Sequence, residues 1–300
     1  MHDATVIGAG PNGLSAAAVL LRAGRSVVIY EGARAIGGAS ATGEITVPGF
    51  RHDLGAAVHP LGASSPLFRS LSLDRYGLEW LRSEIPLAHP LDGGRAATLH
   101  HSIAGTADLL EADGPLYRQV VGGLVRRWDV IESAVFGPIF RIPDHPLTLA
   151  GLGLRGLLPA ATAAKRLHTE EGRALLAGLA AHTPMPLDKP GNTAVALVLA
   201  ALAHVTGWPV ARGGSQAIVH ALAAVVDDLG GSIETDHTID NLDAIPPTET
   251  VLLNTGPRAA AAIATIRPAA TMAAPHRGIP RLLNACRIFW IVLLLSAWMT

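Results

Sequence analysis

Hydrophobic residues open the chain as an unbroken run, Ala4 to Ile7, which stops at a glycine. Leu14, Ala17, Ala18 and Leu21 follow at the i, i+3, i+4, i+7 spacing of one helix face, and Gly24 ends that helix. Ser26 to Tyr30 reads as a second buried segment, closed by Glu31. Short apolar runs alternating with an amphipathic helix predict strands buried on both faces of a parallel sheet. The pattern returns far downstream. Ile218, Leu222, Val225 and Leu229 mark one helix face, Gly230-Gly231 follows, and Ser232 to Thr235 and Val251 to Thr255 read as further strands. Between the two portions the periodicity is helical, over Gly105–Ala112, Tyr117–Val135, Thr169–Ala181 and Asn192–Val205. Proline-rich joints at Pro138, Pro143, Pro146, Pro159 and Pro184–Pro186 separate these helices. The run from Ala194 to Val205 is apolar on most faces but too short to span a bilayer, so it predicts a buried core helix.

The first strand and helix are joined by Gly8, Ala9, Gly10, Pro11, Asn12 and Gly13, a G-x-G-x-x-G loop. Strand, glycine loop, helix, second strand and terminal acid together form the arrangement that a dinucleotide needs. Gly8 permits a tight turn, Gly10 lets the main chain approach a pyrophosphate, and Gly13 lets the helix pack close to the sheet. The helix N-terminus offers free N–H groups and the positive end of its dipole. Glu31 can accept hydrogen bonds from a ribose 2′-hydroxyl and repels a 2′-phosphate. The competing reading is a structural glycine turn with no ligand.

This loop does not by itself separate NAD from FAD. After Glu31 come Arg34, the doublet Gly37-Gly38 and then Ala39. The stretch resembles the E-x-x-R-x-x-G-G extension of the FAD-dependent family that holds amine oxidases and phytoene desaturases. Gly49-Phe50, Asp53 and Gly55 continue the likeness as G-F-x-x-D-x-G. Arg212-Gly213-Gly214-Ser215 and the stretch to Ile239 resemble that family's return into its FAD domain. The chain is most similar to the phytoene-dehydrogenase-like group named for pyridine nucleotide-disulfide oxidoreductase domain-containing protein 2, over residues 3 to 267.

The resemblance implies an α/β fold: a discontinuous Rossmann-like FAD-binding domain of the glutathione-reductase type with an inserted helix-rich substrate or cap domain. The corresponding segments are 1–70 and 206–267 for the FAD domain, 71–205 for the insert and 268–300 for an atypical hydrophobic tail. It implies FAD held by Gly8, Ala9, Gly10, Pro11, Asn12, Gly13, Glu31, Arg34, Gly37, Gly38, Ala39 and Ile239, with the Ile239 main chain meeting adenine. It further implies hydride removal from a small, apolar organic substrate to the flavin. Two departures stand out. Ala39 occupies a position where many relatives carry a basic residue, and relatives extend past residue 300 with a further glycine-rich segment beside the flavin. Two rival readings stay open: a catalytically incomplete remnant acting as a binding or interaction protein, and an NAD-dependent dehydrogenase. Arg34, Gly37-Gly38 and Gly213-Gly214 argue against the second, since an NAD enzyme needs none of them.

The hydrophobic share is 49% and the net charge is −1, which gives no electrostatic case for nucleic acid. A single cysteine, Cys286, excludes an internal disulfide or a C-x-x-C redox pair and suits a reducing, cytoplasmic setting. The first strand begins too early to leave room for a signal peptide. Ile288 to Met299 is an apolar dodecamer, shorter than a membrane helix. It reads as an abnormal, truncated end, with peripheral membrane contact as the alternative. No metal site is expected: His100-His101 lacks the companions of a ligand set, and His182 and His204 lie in apolar helical context. His52, Asp53 and His59 are better placed for chemistry, but no residue is assigned a catalytic role. Neither a G-x-S-x-G elbow nor a Walker loop is present.

Overall fold

β1 (Ala4–Ile7) and β2 (Val27–Tyr30) are buried at every position, as their unbroken apolar runs require. α1 (Pro11–Arg22) connects them, and both pairings of β1 are parallel. The computed structural model describes residues 1–137 and 145–265 and divides the chain into two compact units. The expected tail 268–300, with Cys286 and its membrane-contact reading, lies outside the described residues, as do Pro138 and Pro143.

The first unit comprises Met1–Ala57, Arg69–Glu79 and the described residues from Ala211 onward. α2 (Gln216–Asp228), β3 (Ser232–Glu234), β4 (Thr250–Leu253) and α3 (Pro257–Thr265) complete it. Its sheet has the order β4-β1-β2-β3, with Ala4 opposite both Thr250 and Val27, and Val28 opposite Ser232. α1 packs against α2, burying Leu14, Ala17 and Leu21 on one helix and Ile218, Leu222 and Val225 on the other. Each of these leucine, isoleucine and valine side chains contributes about 1.5–3 kcal/mol. Leu229 is the exception to the predicted face. It is the residue that caps α2, and it is exposed. A second cluster joins Ile7, Val28 and Tyr30 to Ile239 and to Ile263 of α3. Residues 69–79 belong to this unit through Tyr76, whose hydroxyl donates to Asp228 on α2 (2.8 Å), and through Ser70, which accepts from Arg22 on α1.

The second unit comprises Val58–Phe68 and Trp80–Val210. The apolar helix Asn192–Val205 lies in its core, packed against the helices Glu170–Ala180, Gly114–Val125 and Pro146–Gly156. The predicted helix 117–135 is two helices, Gly114–Val125 and Trp128–Val135, because Arg127 leaves helical geometry (φ −120°, ψ 28°). A hairpin of Leu87–Pro90 and Ala96–Leu99 has no counterpart in the periodicity, although Asp92-Gly93-Gly94 supplies its turn. Asp113 ties this unit together. Its buried carboxylate accepts from the amides of His168 (2.9 Å) and Thr169 (2.9 Å) and from the Thr169 hydroxyl (2.6 Å). Burial alone would raise its pKa; the three donors outweigh that and hold it below the ordinary carboxylate range. Asp113→Asn is expected to cost about 1.5–3 kcal/mol in denaturant unfolding at neutral pH. Because the folded pKa is depressed, the gap to the wild type should persist above about pH 4 and close as the pH falls further.

Candidate functional site

Gly8 ends β1, and its amide still donates to Tyr30 of β2 (2.8 Å). Its φ of +104° lies in the left-handed region, and a Cβ there would sit 2.2 Å from the Asn254 carbonyl oxygen. Gly13 is equally constrained: its Cβ would meet the Gly8 carbonyl oxygen at 2.1 Å and Asn254 Nδ2 at 2.7 Å. Gly10 differs from both. Its φ is −80°, open to any residue, and the nearest atoms to a Cβ would be Asn254 Nδ2 at 3.4 Å and Gly38 Cα at 3.7 Å. Neither backbone strain nor the protein's own packing asks for glycine at position 10. Gly10 caps α1, Pro11 opens it, no side chain accepts from its first amides, and its first turn has no acidic residue. The positive end of a three-turn helix therefore lies at a loop of small residues with no acidic side chain in its first turn to offset it.

Glu31 reaches back to this loop. One carboxylate oxygen accepts from the Ala9 amide (2.8 Å), the other from the Ala33 amide (3.0 Å), and each keeps a lone pair. The segment 236–239 passes alongside, its Asp236 and His237 amides donating to the carbonyls of Ala33 (3.0 Å) and Glu31 (2.9 Å). Ile239 then places its side chain in the core. Arg34 is exposed. The Gly37 amide donates to Ala9 (3.3 Å), and a Cβ on Gly38 would lie 3.2 Å from Gly10 Cα, so the doublet packs main chain against main chain on the loop. Ala39 is half-buried, and its carbonyl accepts from the Ala56 amide (3.0 Å).

The downstream glycine-rich portion meets this region directly. Asp53 accepts from the Thr42 hydroxyl (2.6 Å) and the Ser215 amide (2.7 Å). The Gln216 amide donates to the Thr42 hydroxyl (3.0 Å), and its side chain donates to the Ile36 carbonyl (2.7 Å). Asp53 is thus a link between chain segments. Sequence reasoning misses Thr42 and Gln216 because the bonds that tie Gln216 to Thr42 and to Ile36 span more than 170 positions. It marks Asn254 only as strand; the available signal is a polar residue directly after a buried apolar run. Asn254 Nδ2 donates to the Gly8 carbonyl (3.1 Å).

The histidines do not assemble into a site. His52 pairs with Thr46 (2.7 Å), while His59 lies in the second unit, tilted against Trp80. His182 stands edge-on to Trp208. His100 pairs with the Thr98 hydroxyl (3.2 Å), and the His101 carbonyl contacts Nδ1 of His204 (2.9 Å). That contact makes Nδ1 the protonated nitrogen, so Tyr117 donates to Nε2 (2.7 Å). Burial pushes His204 below the usual histidine range and raises Tyr117. Among the described residues no group of three or more His, Cys, Asp or Glu could hold a metal, and no helix is long and apolar enough to cross a membrane.

Residues 6–72 match the family described as NAD(P)-binding Rossmann-like domain. The chain carries a Rossmann-like domain. One component of the limonene dehydrogenase of Castellaniella defragrans is 33% identical over 113 residues, which are 38% of this chain and 20% of that protein. Pyridine nucleotide-disulfide oxidoreductase domain-containing protein 2 of Rattus norvegicus is 37% identical over 112 residues, 37% of this chain and 19% of that protein. The chain spans about a fifth of the length of these curated relatives. An oxidoreductase from Methanosarcina mazei shares the fold, with a TM-score of 0.59 at 18% identity, over 96% of this chain and 64% of that one. In the Rossmann-like domain the chain leaves β1 toward β2 on one side, while β4 lies on the other. The crevice past the strand ends at this reversal is where open α/β sheets take their ligands. Gly8 to Gly13 and Asn254 all lie there.

Proposed function

We propose that the protein is an FAD-dependent oxidoreductase that removes hydride from a small, apolar organic substrate. The observation that carries this reading is Gly10, a bare position that neither φ nor packing requires, between an uncapped helix and Gly38. A diphosphate accounts for that bareness, because its oxygens can approach main-chain amides only where no Cβ intervenes. Gly38 and Gly37 extend the same bare wall, which an NAD site does not need. In this reading the amides of Asn12 and Gly13 bind the pyrophosphate, and Glu31 accepts from a ribose hydroxyl with its remaining lone pairs. Arg34, Ala39 and the Ile239 main chain border the adenosine and pyrophosphate, as the family resemblance implies. When bound, flavin supplies the hydride-accepting chemistry, so the protein's own task is to bind, orient and exclude water. The low polarity of the second unit supports an apolar substrate, and so does the name of the limonene dehydrogenase relative.

Visible absorption of the purified protein tests this. A flavin spectrum that survives gel filtration is the expected result. Nicotinamide binding without flavin would move the assignment to an NAD enzyme, and binding of neither would leave a non-catalytic module.

A further inference from the structure

The peptide unit that joins Gly8 to Ala9 is gripped at both ends by side chains. Its carbonyl oxygen accepts from Asn254 Nδ2 at 3.1 Å, and its N–H donates to Glu31 Oε2 at 2.8 Å. Asn254 arrives from the end of β4, where its own amide donates to Ile7 (2.8 Å). Its carboxamide occupies the space that a Cβ on Gly13 would enter, 2.7 Å from Nδ2 and 3.2 Å from Cγ. The glycine at position 13 therefore admits the Asn254 side chain as well as the close approach of α1.

We infer that Asn254 is a positioning residue of the dinucleotide site: its donor fixes the Gly8–Ala9 peptide plane and so aims the amides that follow it. This rests on the dinucleotide reading above. A peptide plane at the end of a strand has no ladder to hold it on one side, and here the neighbouring strand supplies that hold through a side chain. With the donor gone, the Gly8 carbonyl loses its partner, the plane can rotate, and the amides of Ala9, Gly10, Asn12 and Gly13 lose their common direction.

The experiment compares the full-length wild type with Asn254→Asp and Asn254→Leu. Aspartate has the same shape but no donor when ionised; leucine has neither donor nor charge. Two readouts are taken: FAD affinity by flavin fluorescence, and amide hydrogen exchange over residues 9–14 without ligand. Both variants should bind FAD about tenfold more weakly at pH 8 and exchange faster over that loop. Near pH 4.5, as the carboxyl begins to take up a proton that can donate to Gly8, Asn254→Asp should recover affinity relative to the wild type. Asn254→Leu should not recover. Wild-type affinity and exchange in Asn254→Leu at pH 8 would overturn the inference. If leucine prevents folding, unaltered exchange in the isosteric aspartate variant at pH 8 does so. A wild type that takes no flavin sinks the cofactor reading instead, and the exchange arm still decides the role of Asn254.

Discussion

Gly10→Val is expected to strip the flavin from the protein and leave the first unit folded. The reasoning depends on what surrounds the missing side chain. Gly10 has φ −80° and ψ 175°, extended backbone that valine adopts readily, and its Cβ position is no closer than 3.4 Å to any protein atom. The apoprotein should melt within a few degrees of the wild type, the main cost being a poorer helix cap of about 1 kcal/mol. The added carbons instead crowd the face that Gly10 and Gly38 form together, against which the pyrophosphate would lie. Overpacking of about 1–3 kcal/mol or more there lowers affinity roughly 10- to 100-fold or beyond. Absorbance of the purified variant reads out the loss, and its melting curve reads out the fold. Full flavin retention would show that the loop does not hold the diphosphate.

Gly8→Ala should do the reverse, damaging the fold whether or not ligand is present. Its Cβ would lie 2.2 Å from the Asn254 carbonyl oxygen, a main-chain atom held by the pairing of β4 with β1. Alanine at φ +104° adds roughly 1–2 kcal/mol of strain. With the overpacking term of about 1–3 kcal/mol, the total is about 2–5 kcal/mol, a large part of the about 5–15 kcal/mol that keeps a domain folded. Thermal unfolding of the apoprotein measures this. A variant as stable as the wild type would mean that the turn relaxes without cost. Two glycines two positions apart in one motif thus separate the demands of the ligand from the demands of the chain.

Much of this is legible in the residues. β1, α1, β2, α2 and the helix Asn192–Val205 fall where the periodicity puts them, and the α/β class follows from their order. The expected binding residues Gly8 to Gly13, Glu31, Gly37 and Gly38 converge on one loop in the structure. Less is legible in the second unit. The break at Arg127, the hairpin over 87–99 and the helix Pro146–Gly156 have weak local signals, because tertiary packing selects them: the hairpin lies against the helix Glu170–Ala180, and Pro146–Gly156 against the central helix. Asp53, a candidate for chemistry by its position, is instead a bridge between Thr42 and Ser215.

The residues alone determined the central strands, the helix between them and the glycine loop, since burial on both faces and a tight turn leave marks within a few neighbouring positions. Only the tertiary structure decided which glycines serve the chain and which one is spare. It alone placed Asn254 on the Gly8 carbonyl, 246 positions away. A parallel sheet brings the ends of distant strands together, and a hydrogen bond formed across that distance writes no periodicity into the residues between.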